Sequence, residues 1–441
     1  MKTMSKSGFR VAAIFFLLIS FPFLSSNAAE LEKTFSWKNS VAPGTRVVIE
    51  NYDCDLIIHV WDKQEAEFHL TVEATGKTSD DEARLVKYLE NYQFNNSGAS
   101  VSFKNTFWEN RQTNNNKTTL EIEGGKDIEL TEFSMKAELW IPSSNPFEMN
   151  SKYSEVSMEE FKAALTLDLY NSNLSGHNLT GNAKITAKYA GLEFGDIKDL
   201  NFDMYNSTFE AGNTGNITGL AKYSRFNAVN SAKVDINSYN DKFAFEKTGD
   251  IIFRSKYSDF KTILSGDADI ECYNGILNFG ETKDVTIDSK YADFEFNKTG
   301  KCDITNSYND KIRFGEISSL NVVVSKYSIY KAGKITSSLI ESDGYNDRFS
   351  IQSFGEDLKK ISINGKYLDI TIGLLSSTDF RLRAEIKYPS FEPDEKFIRT
   401  KTKVIDNSDL QYEGVKGTEK EGMPEIDIKG YNVAFRINEV N

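Results

Sequence analysis

Apolar residues recur on a fixed pattern through most of the chain. One set falls at Val156, Leu174, Leu192, Phe209, Phe226, Phe243, Phe260, Leu277, Phe294, Ile312, Tyr330, Phe349, Ile370 and Phe391, with spacings of 17 residues in the middle and 18 to 21 towards the ends. Taking this residue as position zero, positions −9 and −7 are also apolar, as in Val234 and Ile236 or Val285 and Ile287. So is position +2, as in Phe245, Phe279, Phe296 and Phe314. Alternation of this kind predicts strands. The inward set changes parity between −5 and zero, which in a straight strand would turn half of it towards water. The chain must therefore bend there. The bend falls in one of two alternating motifs, Ser-Tyr-Asn-Asp (Ser238–Asp241, Ser307–Asp310) or Ser-Lys-Tyr-Ser/Ala (Ser255–Ser258, Ser289–Ala292), both rich in turn formers. A polar segment such as Lys247-Thr248-Gly249 closes each unit as a turn.

A unit of strand, corner, strand and turn cannot bury its apolar set alone, so units must stack. Stacked in parallel, they bring Phe onto Phe and each strand against the next coil. The predicted fold is all-β, a single-stranded parallel β-solenoid (β-helix) with coils of about 17 residues and one small helix in an N-terminal insertion. An antiparallel meander is the rival; coils are preferred because both motif versions carry the parity switch. The same grammar appears at Val47–Ile58, Leu382–Phe391 and Ile426–Ile437, which gives sixteen coils in all. The predicted organisation is a signal peptide at 1–28, the solenoid at 29–391 with an insertion at about 59–145, and a C-terminal insertion and last coil at 392–441. Within the first insertion, Ser79 is the expected helix cap. Asp80, Asp81 and Glu82 suit the N-terminal dipole, and Leu85, Tyr88, Leu89 and Tyr92 form an apolar face.

The Ser151–Val156 motif (SKYSEV), its Lys-Tyr and Tyr-Asn successors, and Asn51–Ile58 (NYDCDLII) resemble bacterial putative-adhesin domains, an exported β-solenoid family of Bacteroidetes type. The resemblance implies an exported solenoid, brings no active-site motif, and differs where Ser154 and Ser258 stand at a usual glycine.

Composition narrows the function. Lys2, Lys6 and Arg10 precede the apolar Val11–Leu24 and the small Ser26-Asn27-Ala28, as in a secretory leader. The chain is expected to be exported, periplasmic or at the cell surface, with no transmembrane segment once the leader is removed. A net charge of −13 argues against nucleic acid as partner. His59, His69 and His177 read as isolated, and three cysteines make neither a metal cluster nor a disulfide framework. Cys272 and Cys302, two coils apart, are expected as buried free thiols, and Cys54 as a more accessible one. One extra residue between Cys302 and Tyr308 predicts a bulge.

No cofactor, no metal and no catalytic group are predicted. Asp241, Asp310 and Asp347 read as turn residues, since calcium needs 6–8 oxygen ligands from a defined loop. The function expected is a non-enzymatic envelope scaffold or adhesin whose partner is a protein or glycan. The alternative is a glycan-binding or polysaccharide-processing β-helix. One Tyr per coil forms a row, and parity counting favours rings packed inward at the corner with wet hydroxyls. A glycan-binding face would use Tyr223, Tyr239, Tyr257, Tyr291 and Tyr308 with Lys222, Lys256 and Lys290.

Overall fold

The computed structural model describes residues 31–440 apart from 95, 116 and 392–396; the leader predicted at 1–28 lies outside them. The described chain is a β-solenoid of about 13 turns, spaced about 18 residues apart, in which successive coils pair in parallel. The antiparallel meander is thereby excluded for the repeat. Register follows position zero: Phe209 pairs with Phe226, Phe226 with Phe243, and Phe243 with Phe260. Every position-zero residue from Val156 to Ile370 is buried, and the rings stack along the axis, as Phe209 and Phe226 do at 4.7 Å. Each such side chain contributes about 1.5–3 kcal/mol of burial before entropy.

The corner has a specific mechanism. Position −3 adopts positive φ in coil after coil: Tyr in one motif (Tyr223 56°, Tyr257 58°), Asn in the other (Asn240 59°, Asn274 57°). This single left-handed residue lets positions −5 and −2 both face inward. It also leaves the N–H of position −2 without a strand partner. The side chain at −2 of the next coil accepts it: Ser207 N–H donates to Ser224 Oγ at 3.2 Å, Ser224 N–H to Asp241 Oδ1 at 2.6 Å, and Asp241 N–H to Ser258 Oγ at 3.1 Å. The Ser and Asp of the corner are thus buried backbone acceptors, as the general rule for buried amides requires. The segments read as turns remain paired in the central coils, where Lys247 faces Asn230 and Leu264. They are bends within long strands such as Lys242–Lys256. Gly249 is needed at such a bend because a Cβ there would lie 1.8 Å from the Ala232 carbonyl oxygen.

The expected bulge is present, with the register shifting between Ile287 and Asp288 opposite Thr305. All three thiols are free and buried. Cys54 corrects the expectation of accessibility: it is 3% exposed, and burial pushes its thiol up to about 12.

Both ends depart from simple stacking. At the N-terminal end the strands are β1 (Leu31–Ser40), β2 (Arg46–Tyr52), β3 (Asp55–Trp61), β4 (Glu65–Gly76), β5 (Ser100–Lys104), β6 (Asn110–Asn114), β7 (Lys117–Glu121), β8 (Ile128–Pro142), β9 (Phe147–Lys152) and β10 (Glu155–Met158). The first coil, β2–β3, pairs with β9 and β10 across the insertion. The insertion adds β5 and β8 in parallel beyond it, then β4 and β1 antiparallel. Helix α1 (Ser79–Glu90) packs over this layer through Leu85 and Leu89. Its cap is Thr78, one residue earlier than expected, in a capping box with Asp81. At the other end the chain order is inverted. The final pair Glu425–Tyr431 and Ala434–Val440 inserts beside Lys360–Lys366 and Asp369–Leu375, and Phe380–Lys387 lies beyond it.

Candidate functional site: an outward tyrosine ladder with a lysine row

Parity counting misplaced the tyrosines. A left-handed residue at −3 resets the alternation, so Tyr at −3 and Tyr at −4 both point outward. Tyr223, Tyr257 and Tyr291 are 46%, 44% and 44% exposed, and Tyr239 is 38% exposed. Tyr308 is half-buried. Rings from the two slots interleave into one column from Tyr52 and Tyr153, through Tyr170 to Tyr367, to Tyr431 and Tyr388. Neighbouring centroids lie 5.2–5.8 Å apart, with ring planes crossed at 68–82°. This is the edge-to-face geometry that the ring quadrupole favours over a face-to-face sandwich.

The two alternating motifs now have a cause. Strand spacing is roughly 4.8 Å, so identical Tyr slots in successive coils would place rings face to face. Moving the Tyr between −4 and −3 on alternate coils crosses them instead. Solvent lost around the hydroxyl holds the Tyr153, Tyr223 and Tyr291 phenols above their ordinary value, and the neighbouring Tyr205 does so for Tyr189.

The slot that Tyr vacates at −4 carries Lys. Register therefore reads Lys188, Tyr205, Lys222, Tyr239, Lys256, Tyr273, Lys290, Tyr308, Lys326 along one row. It continues to Tyr345, Lys366, Tyr431 and then Lys387, which pairs with Asp409 at 4.0 Å, and in the other direction to Tyr170, Lys152 and Tyr52. The structure thus brings all eight predicted binding residues onto one face. Lys152, Lys188, Lys222, Lys256, Lys290, Lys326 and Lys366 are exposed and make no side-chain hydrogen bond or ion pair among the described residues. Shallow grooves run beside the row. One of about 650 Å³ is lined by Lys188, Asp203, Tyr205, Lys222 and Tyr239, and one of about 560 Å³ by Arg254, Lys256, Glu271, Tyr273, Asp288 and Lys290.

A second cluster was missed. His59 and His69 are not isolated: both pack on Trp140 at 4.6 Å. His59 bridges Glu138 (3.1 Å) and Glu159 (3.2 Å), His69 meets Glu67 at 2.8 Å, and Trp61 lies 6.4 Å from Trp140. The Val60 N–H, and then His59 and His177, hold the Glu159 carboxyl below its usual range. Strand β8 assembles this group, pairing in parallel with β3, which carries His59 and Trp61, and antiparallel with β4, which carries Glu67 and His69. Only the alternation of His59 with Trp61, and of Glu138 with Trp140, on outward positions could have signalled it. Among the described residues no group of three or more His, Cys, Asp or Glu side chains is arranged to hold a metal ion. No described helix is long and apolar enough to cross a membrane.

No family model and no curated protein matches the chain, so the adhesin-domain resemblance rests on its motifs alone. Among solved structures, the chain is similar to one described as a putative cell adhesion protein from Clostridium sporogenes ATCC 15579. Identity is 9%, over 92% of this chain and 100% of that one, with a TM-score of 0.14. A likeness at that score carries no argument about fold or function.

Proposed function

We propose that the protein is an exported, non-enzymatic β-solenoid that acts as an adhesin-like binding or scaffold protein of the cell envelope. The observation that carries this reading is the unbroken tyrosine ladder with its lysine row. A surface repeated coil after coil suits attachment along a length, whereas catalysis needs one coil to differ from the rest. The polar exterior and secretory-type leader support export. Fractionation of cells producing the chain with an epitope tag in the exposed 399–406 strand tests it. Recovery outside the cytoplasm, with surface binding lost when the ladder is mutated, is expected; cytoplasmic retention of the full chain would overturn the reading. The glycan-binding alternative is favoured by one specific feature, the grooves beside the Lys–Tyr row.

A further inference from the structure

We infer that the Lys–Tyr row binds an unbranched anionic polysaccharide lying along the solenoid axis, with one carboxylate per disaccharide. This rests on the glycan-binding reading of the same face. Lysines recur every second coil, at roughly 9.6 Å, from Lys152 to Lys366, a run of roughly 58 Å. Among the described residues none of them makes an ion pair, in a chain whose net charge is −13, although Asp203, Glu271 and Asp288 line the same grooves. A few basic side chains of the repeat are paired across coils, Lys242 with Asp259, Arg313 with Asp293 and Arg348 with Asp369, whereas none of these seven lysines is. A cation row left unpaired on an acidic surface is complementary to an external anion. Between successive lysines stands a tyrosine whose hydroxyl and outer ring surface are available to a sugar.

The period selects the partner. The disaccharide of an extended, equatorially linked pyranose chain spans about two strand spacings, so one carboxylate per disaccharide meets one lysine per two coils. An extended acidic peptide fits poorly. At about 3.3–3.6 Å per residue, every third side chain would match the spacing, but successive matches would point to opposite sides. Nucleic acid carries charge far more densely, about one phosphate per 3.4 Å of strand. Binding through several weak ion pairs makes affinity dependent on polymer length and salt.

The test measures binding of the full chain to hyaluronan oligosaccharides of increasing length. Probes for comparison are the same polymer with its carboxylates reduced to alcohols, and polyglutamate. Lys222→Gln/Lys256→Gln/Lys290→Gln is expected to lose affinity about tenfold or more. The control triple Lys247→Gln/Lys283→Gln/Lys298→Gln, at exposed positions in the bends away from the Lys–Tyr row, is expected to bind like wild type. Binding should rise with oligomer length and vanish for the reduced polymer. Equal loss in both triples would overturn the inference, as would equal binding of polyglutamate. Equal binding of the reduced polymer would overturn the charge match while leaving the glycan reading standing. No binding to any polymer would overturn both, leaving the envelope assignment to fractionation.

Discussion

Single residues carry much of the strain and most of the specificity. A tyrosine at positive φ costs roughly 1–2 kcal/mol against the right-handed region, and asparagine bears that conformation more easily. Each tyrosine offsets the cost through two crossed ring contacts, at about 0.5–1.5 kcal/mol each. The balance predicts an order. Tyr257→Ala keeps the backbone strain and loses both contacts with Tyr239 and Tyr273. Tyr257→Asn loses the contacts but eases the strain. Urea denaturation should rank wild type above Asn and Asn above Ala, the last two separated by about 1 kcal/mol; equal values would remove strain from the account. Glu341 offers a second case. It is 1% exposed, its aligned neighbours are Val322 and Ile363, and neither carboxylate oxygen meets a donor, its polar neighbour being the Asp347 carboxyl. Burial, and then the nearby Asp347, push it well above the usual carboxylate range; Asp347 itself is pushed, chiefly by burial, to about 6. Groups raised on folding contribute stability while protonated and lose it as pH rises through their folded values. Glu341→Gln should therefore gain on wild type as pH is raised from about 5 to 8, by about 1–3 kcal/mol. A constant gap across that range in thermal melts would mean that Glu341 does not titrate there.

Elements show what the sequence makes legible. The inward columns could be read because strand residues alternate, and Phe226, Phe243, Phe260 and Phe294 are all buried as expected. The tyrosine face could not, because counting parity assumes extended residues throughout and a single left-handed residue shifts the count by one. The His59–Trp140–His69 group was hidden for another reason: residues 59, 69 and 140 meet only because β8 of the insertion pairs in parallel with β3 on one side and antiparallel with β4 on the other. The inverted C-terminal order was hidden because every coil obeys one grammar, so any unit can neighbour any other. That inversion has a consequence for local stability. The strands Glu425–Tyr431 and Ala434–Val440 fill a gap between Lys360–Lys366 and Phe380–Lys387. Ending the chain at residue 424 would leave both flanking edges unpaired. In hydrogen exchange, amides of 360–387 should lose protection while those of 209–330 keep it, since solenoid coils depend on their nearest neighbours. Uniform loss along the rod would show that the coils fold as one unit.

At the scale of the whole molecule, the herringbone makes two coils the structural period, although one coil is the repeat of the core. The two periods can be separated by deletion. Removing residues 226–259 takes out two coils and joins the Lys222-Tyr223-Ser224 corner to the coil of Tyr273-Asn274, which preserves the alternation of slots. Removing residues 243–259 takes out one coil and joins Tyr239-Asn240 to Tyr273-Asn274, so that two rings share the −4 slot at roughly 4.8 Å. The core columns remain in register in both, since each join brings a position-zero Phe to the same place. A rod governed by its interior alone would treat the two deletions alike, apart from length. One governed also by its outer ladder would not: the single-coil deletion forfeits crossed contacts and interrupts the lysine period. Allowing for the shorter chain, it should be less stable than the two-coil deletion by about 1–3 kcal/mol in urea denaturation. It should also bind a long anionic polysaccharide less well, because lysines on either side of the join fall out of step. Greater stability of the single-coil deletion would assign the alternation to recognition alone.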